Sequence, residues 1–265
     1  MLDFLETVMT TNDLRGRVAI VTGASRRIGI GAATCRALAA DGADIFFTHW
    51  RAFDRTQQYE DEDGPATLQD ELREMGVRCK SLEIDLGNAD APEHILDEVE
   101  ARLDQPSILV NNAAYSTRDG YEVLNAETLD AHYAVNMRST MLLSVGFARR
   151  FTKKMGGRII NLTSGQSLGP MPGELAYIAT KGAIEAFTVT LSAEVASRGI
   201  TVNAVDPGAT DTGWMTEEIK RELLPRFPLG RLGLPQDAAR LITFLASDAA
   251  EWITGQVIHS RGGLG

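Results

Sequence analysis

Tyr177 and Lys181 stand four residues apart, and Ser164 precedes the tyrosine by thirteen. The constellation reads as a proton-transfer site beside a nucleotide. A phenol titrates near pH ~10 and acts as an acid–base group at neutral pH only when a neighbouring cation favours its anion. Lys181 is placed to be that cation, because residues four apart share one face of a helix. The pair alone is weak evidence, since an amphipathic helix with one exposed lysine and one half-buried tyrosine has the same spacing. The elements around it decide the matter.

The helix carrying the pair is predicted over Ala176 to Val195, a stretch rich in helix formers, with Gly199 as its C-terminal stop. Short β-branched runs recur between helical stretches at Val18–Val21, Ile45–Thr48, Cys79–Ile84, Ile108–Val110, Arg158–Leu162, Ile200–Val205 and Gln256–His259. Seven strands alternating with helices imply an α/β chain with a doubly wound, seven-stranded parallel sheet and helices on both faces, a single-domain Rossmann arrangement. Residues 1–12 read as a loosely held tail, residues 13–265 as the domain, and 212–230 as its lid, with a helical stretch at Thr216–Leu224. Ligands of such sheets collect beyond the carboxyl ends of the strands.

The first strand runs into Thr22-Gly23-Ala24-Ser25-Arg26-Arg27-Ile28-Gly29, after which Ile30 to Ala40 reads as a helix. A glycine-bearing strand-to-helix turn presents backbone N–H groups and a positive helix end to a pyrophosphate. At the end of the second strand, an acid would accept from a free ribose 2′-hydroxyl. Thr48, His49, Trp50 and Arg51 offer none, whereas Arg26, Arg27 and Arg51 have the planar donors that recognise a 2′-phosphate. NADP(H) is therefore favoured, with NAD(H) as the alternative. The segment from Trp50 to Pro65, with its acidic run Glu60-Asp61-Glu62-Asp63, reads as a solvated loop near the adenosine end.

A chain of 265 residues can bury one large α/β core. Its formal net charge of −10 argues against nucleic acid or an anionic membrane as the partner and favours a small molecule. Cys35 and Cys79 make neither a disulfide framework nor a metal-ligand spacing, which suits the cytosol. His49, His94, His132 and His259 are scattered, so no metal is expected. No apolar run reaches the length of a membrane span, and Met1 to Asn12 lacks the basic start of a signal peptide.

With the turn at 22–29, Asp85-Leu86 after the third strand, Asn111-Asn112-Ala113-Ala114 after the fourth, then Ser164, Tyr177 and Lys181, and Pro207-Gly208 with Thr212 after the sixth, the chain resembles the short-chain dehydrogenase/reductase family. The match runs from about Leu14 to Gly263. The resemblance implies that Gly23, Ser25, Arg26, Ile28 and Gly29 hold the pyrophosphate and adenosine side, with Arg27, His49 and Arg51 nearby. Asp85 and Leu86 would flank the adenine, and Asn112, Ala113 and Ala114 the cofactor's middle. Pro207, Gly208, Thr210 and Thr212 would meet the nicotinamide carboxamide. It further implies that Tyr177 exchanges the proton, Ser164 positions the substrate oxygen, Lys181 lowers the tyrosine pKa and binds the nicotinamide ribose, and Asn136 kinks a helix and completes a proton route to water. Arg27 departs from the family by replacing the second glycine of the turn. A homotetramer, or a dimer, is also implied, with helices near 125–150 and 177–197 at one interface and the strand near Val257 at another.

Within the family the chain looks nearest to 3-oxoacyl-acyl-carrier-protein reductases, through Ala196 to Asn203 and Thr254-Gly255-Gln256. Those enzymes often dock their carrier with an arginine where Ala193 stands; Arg149-Arg150-Phe151-Thr152-Lys153-Lys154 is a substitute, or simply a charged helix end. The expected reaction is NADPH-dependent reduction of a ketone or 3-oxoacyl group. Tyr115, Gln166, Leu168, Met171, Trp214 and Met215 would form mostly apolar substrate walls. Alternatives are a non-catalytic NADP(H)-binding sensor or scaffold, which would commonly lose the tyrosine or lysine, and an NAD-dependent alcohol or sugar dehydrogenase. Enoyl reductases space their tyrosine and lysine more widely. Gly165-Gln166-Ser167-Leu168-Gly169 spells a hydrolase elbow, but Pro170, Pro172 and Gly173 deny it the helix an elbow needs.

Overall fold

The computed structural model describes residues 13–56, 61 and 63–264, so the predicted tail at 1–12 lies outside the described residues. Seven strands form one parallel sheet: β1 (Val18–Val21), β2 (Asp44–His49), β3 (Cys79–Glu83), β4 (Ile108–Asn111), β5 (Gly157–Leu162), β6 (Ile200–Asp206) and β7 (Val257–His259). Their order is β3-β2-β1-β4-β5-β6-β7. The direction of winding therefore reverses between β1 and β4, and a crevice opens there beyond the strand ends.

Helices α1 (Ile30–Ala40), α2 (Arg51–Thr56), α3 (Gly64–Glu74), α4 (Ala91–Arg102), α5 (Ala126–His132), α6 (Thr140–Arg150), α7 (Leu175–Val195), α8 (Glu217–Leu223) and α9 (Pro235–Ala246) connect the strands. Side chains along a strand alternate between faces, and β1 uses both: Ala19 and Val21 pack with Leu38, Leu68 and Ile242 from α1, α3 and α9. Val18 and Ile20 pack with Leu96, Phe147 and Leu191 from α4, α6 and α7 on the other. Burying a Leu, Ile or Phe side chain contributes about 1.5–3 kcal/mol. Two such faces make the sheet a rigid platform for the loops at its carboxyl edge. Among the described residues, no helix is long and apolar enough to cross a membrane.

The segment after β2 corrects the expectation of a solvated loop. Arg51–Thr56 is helical, Asp61 is tied to the glycine turn, and α3 begins at Gly64. The aromatic rings explain the helix at α2: Phe53 lies 6.2 Å from Trp50 in a stacked pair and 5.4 Å from Tyr115 after β4. Glu60 and Glu62 of the acidic run lie outside the described residues.

Candidate active site

The turn after β1 is drawn against β4 by polar side chains. The Thr22 hydroxyl accepts from the backbone N–H groups of Asn112 and Ala113, both at 3.1 Å. The Asn112 amide donates to the carbonyls of Thr22 and Gly23 at 2.8 and 2.9 Å. Gly23 has φ +73°, and a Cβ there would stand 2.6 Å from Ala113 Cα. Gly31 matters equally, because its Cβ would lie 2.6 Å from the Gly23 carbonyl and 2.7 Å from the Asn112 amide nitrogen. Gly29 caps α1 in an extended conformation without a side-chain cap, so the helix start faces the crevice. This closely packed turn of small residues is a cradle that added side chains would fill, and it fits a dinucleotide pyrophosphate.

The crevice is a cleft of about 1290 Å³, above the roughly 300–1,000 Å³ of drug-sized ligand sites and ample for a dinucleotide with a small substrate. Gly23, Ser25, Arg26, Gly29, His49, Leu86, Asn112, Ala113 and Ala114 line one half of it. Ser164, Tyr177, Lys181, Pro207, Gly208, Thr210 and Thr212 line the other. Four predicted cofactor residues do not line it. Arg27 turns to Asp61, whose carboxylate accepts from the Arg27 backbone N–H at 2.7 Å and from Nε at 3.0 Å. Ile28 is 59 % exposed and packs beside Gly213. Arg51 stands outside, its backbone N–H donating to Glu83 at 3.2 Å. Asp85 folds onto the Gly87 N–H at 2.7 Å.

The adenosine end also holds an acid that the sequence reading placed nowhere. Asp54 from α2 lines the cleft, with its carboxyl pushed up by burial and pulled down by the Ser25 hydroxyl and the Arg26 guanidinium. Arg26 reaches across to donate to the Thr212 carbonyl at 2.8 Å, joining the glycine turn to the loop after β6. Burial lowers the pKa of His49, which favours its neutral ring.

In the second half, β5 ends at Leu162 and leaves Ser164 in extended backbone, with a single 3₁₀ turn after it. That turn carries Ser167, which donates to Glu185 at 3.4 Å, so the hydrolase motif is not an elbow. Tyr177 and Lys181 share the inner face of α7. Lys181 is 3 % exposed and donates to the Leu162 carbonyl at 2.7 Å, its Nζ 5.5 Å from the Tyr177 ring centroid. Burial pulls Lys181 down to about 8. Burial likewise pushes Tyr177 up to about 12, Glu174 and Asp206 add to the rise, and the Ser164 hydroxyl opposes it. With the Lys181 ammonium on a backbone carbonyl, burial makes the charged form of both side chains costly.

The helix leading to this site contains a π-helical turn at Tyr133–Ser139, the predicted irregularity at Asn136. Asn136 accepts from the Tyr115 N–H at 2.7 Å and donates to the Tyr115 carbonyl at 2.9 Å and the Thr180 hydroxyl at 3.1 Å. It therefore contacts the residue beside Lys181 rather than Lys181. Asp119 fixes the start of α7, accepting from the N–H groups of Leu175 at 2.5 Å and Ala176 at 3.0 Å. Sequence spacing carries no signal of that cap, since Asp119 lies 56 and 57 residues away from those partners. Tyr115, Leu168, Met171 and Trp214 form the expected substrate wall. Gln166 instead donates to Thr163, and Met215 is buried. Of the predicted basic stretch, Arg150 is held by Glu93, Asp97 and Glu100, and Phe151 is buried.

Residues 23–265 match a family model described as Enoyl-(Acyl carrier protein) reductase. A Bacillus subtilis (strain 168) protein called uncharacterized oxidoreductase YjdA is 57% identical over 250 residues, 94% of this chain and 96% of that protein. The 3-oxoacyl-[acyl-carrier-protein] reductase FabG of Pseudomonas aeruginosa is 39% identical over 259 residues, 95% of this chain and 98% of that one. Among solved structures, a Serratia marcescens short-chain dehydrogenase/reductase double mutant superposes with TM-score 0.85 at 31% identity, covering 95% of this chain and 99% of that one. A blue fluorescent protein from a metagenomic library in complex with NADPH has the same TM-score, identity and coverages.

Proposed function

The chain belongs to the short-chain dehydrogenase/reductase family and is an NAD(P)-dependent oxidoreductase, and from that premise we propose that it uses NADPH to reduce a ketone or 3-oxoacyl group to the alcohol. The observation that carries this reading is the grouping of Ser164, Tyr177 and Lys181 in one cleft with the glycine turn, against a mostly apolar wall.

Bound NADPH supplies the hydride that the carbonyl carbon gains. Tyr177, kept protonated at neutral pH by its buried site, gives its phenol proton to the oxygen, so that C=O becomes CH–OH. Ser164 donates a hydrogen bond that fixes the oxygen and steadies its growing charge. Lys181, when protonated, offsets the tyrosinate left behind. Asn136 stands behind Thr180 to complete a proton route towards solvent.

NADPH is preferred in this reading because Arg26 lines the cleft and a structural relative is an NADPH complex. Asp54 favours the second reading, an NAD-dependent alcohol or sugar dehydrogenase, because a carboxylate there can accept from a free ribose hydroxyl. The test is oxidation of NADPH and of NADH over a panel of ketones and 3-oxoacyl thioesters, with the Tyr177→Phe variant alongside. NADPH turnover that collapses in the variant is expected; faster NADH turnover selects the second reading.

The assembly we propose is a homotetramer in the cytosol, which suits the free thiols of Cys35 and Cys79. Leu129, Tyr133, Leu142 and Val189 are exposed on the helices assigned to one interface, and Trp252 is 96 % exposed near the other. Light scattering that gives only monomer mass would overturn this assembly.

A further inference from the structure

Arg261, two residues beyond β7, occupies a slot made by two glycines. A Cβ at Gly208 would stand 2.9 Å from Arg261 Cγ, and a Cβ at Gly165 would stand 3.0 Å from its Nη2. Gly165 directly follows Ser164, so the guanidinium is brought beside the group that positions the substrate oxygen. There it lines the cleft together with Ser164, Met171, Pro207 and Leu264.

The side chain is only 15 % exposed, and its Nε and Nη1 are buried with no hydrogen-bond acceptor among the described residues. Buried donors of a charged group are strongly unfavourable unless something accepts from them. Asp206 is the nearest carboxylate and is fully buried, yet it is engaged elsewhere. One oxygen accepts from the Gly208 N–H at 2.9 Å and the other from His259 Nδ1 at 2.9 Å. Arg261 Nε lies 3.5 Å from Asp206 Oδ2 without a hydrogen bond. Asp206 thus supplies counter-charge that holds the guanidinium in place where Arg261 lines the cleft.

We infer that Arg261 binds a carboxylate of the substrate, which makes the substrate a short oxo acid whose carbonyl rests on Ser164 and Tyr177. A guanidinium donates charge-assisted hydrogen bonds to a carboxylate. Leu168, Met171 and Trp214 bring no charge to the wall; Arg118 and Arg226 also line the cleft, and Arg118 is paired with Glu174 at 3.5 Å. A site built to hydrogen-bond a charged group discriminates against the analogue that lacks it. The identity of the reacting group rests on the reductase reading; the anion site does not.

The test compares NADPH-dependent reduction of acetoacetate and of its neutral methyl ester by wild type, Arg261→Gln and Arg261→Lys, alongside thermal shift of the NADPH-loaded proteins with malonate. The expected result is a wild-type kcat/KM at least tenfold higher for the acid. In Arg261→Gln the acid loses on the order of 10- to 100-fold relative to the ester, the worth of a charged hydrogen bond. Arg261→Lys, which keeps the charge, retains part of the preference and serves if the glutamine variant fails to fold. A merely structural role would lower both substrates together and leave their ratio intact, which overturns the inference, as does a wild-type preference for the ester. If neither probe is reduced, malonate decides: protection of wild type but not of Arg261→Gln sustains the anion site while the reductase reading fails, and no protection overturns the site.

Discussion

Lys181 donates to the carbonyl of Leu162 at 2.7 Å while its Nζ stands 5.5 Å from the centroid of the Tyr177 ring. The one buried Nζ thereby stands between the end of β5 and the Tyr177 ring. Burial makes the charged form of each side chain costly, so the lysine is drawn to about 8 and the tyrosine to about 12.

The pH dependence of reduction follows from that relationship. Tyr177 stays protonated through neutral pH, so the alkaline fall of kcat/KM belongs to Lys181 and has its midpoint near 8. Lys181→Met is expected to lower activity about 10²-fold or more and to abolish that limb, whereas Tyr177→Phe removes the proton donor and costs roughly 10²–10⁴-fold. A wild-type limb that persists unchanged in Lys181→Met would assign it elsewhere.

Stability carries the same signature with a definite sign. Between pH 8 and 10.5 the unfolded chain holds a proton on Lys181 that the folded one has released, so this residue's contribution becomes more favourable as pH rises through that window. Its burial cost is complete below 8. Lys181→Met is therefore expected to gain stability against urea at pH 7 relative to wild type, and to lose that advantage by pH 10. Tyr177 acts oppositely, losing stability between 10 and 12.

The cap on α7 predicts a positioning effect. Asp119→Ala leaves the Leu175 and Ala176 N–H groups without their acceptor, and loss of a helix cap costs about 0.5–2 kcal/mol. Differential scanning calorimetry should register a lower Tm. Steady-state kinetics should show kcat falling more than KM rises, because Tyr177 sits in the turn that loses its anchor. An unchanged kcat would show that packing alone holds the turn.

The two arginines of the glycine turn should part company in binding. Arg26→Ala weakens NADPH by about tenfold or more, the loss of a hydrogen bond to a charged group. Arg27→Ala changes it little, since Asp61 already holds that side chain. Fluorescence titration of NADPH measures both, and equal losses would refute the assignment.

Gly31→Ala should abolish dinucleotide binding while preserving the far-UV circular dichroism of the fold. The added methyl would lie 2.6 Å from the Gly23 carbonyl and force the turn open. Retained NADPH binding in that variant would show that the turn can yield.

The sheet was legible before the structure because strand periodicity is local: Val18–Val21 and Ile30–Ala40 fall where the apolar patterns put them. Ser164, Tyr177 and Lys181 were legible for a related reason, since their spacing lies within one loop and one helix. What escaped depends on contacts between distant segments. Arg27 has the chemistry of a phosphate ligand, but Asp61, 34 residues along the chain, holds it, and Asp54 lies in a stretch whose helix is set by Phe53 meeting Tyr115. Asp119 and Arg261 act at sites far from them in sequence, where no motif marks them.

The place of β1 in the sheet has a further consequence for how the molecule comes into being. Its two neighbours are β2, which follows directly, and β4, whose Ile108 pairs with Ala19 across almost ninety residues of chain. During synthesis the first strand must therefore wait with one edge unpaired until β4 emerges. Such long-range parallel pairing is intrinsically slow and exposed to aggregation. The cofactor cleft straddles that seam, so Thr22 and Asn112 can meet only late, and a nascent chain should acquire dinucleotide affinity in one step once residues around 112 have left the ribosome and the sheet has closed.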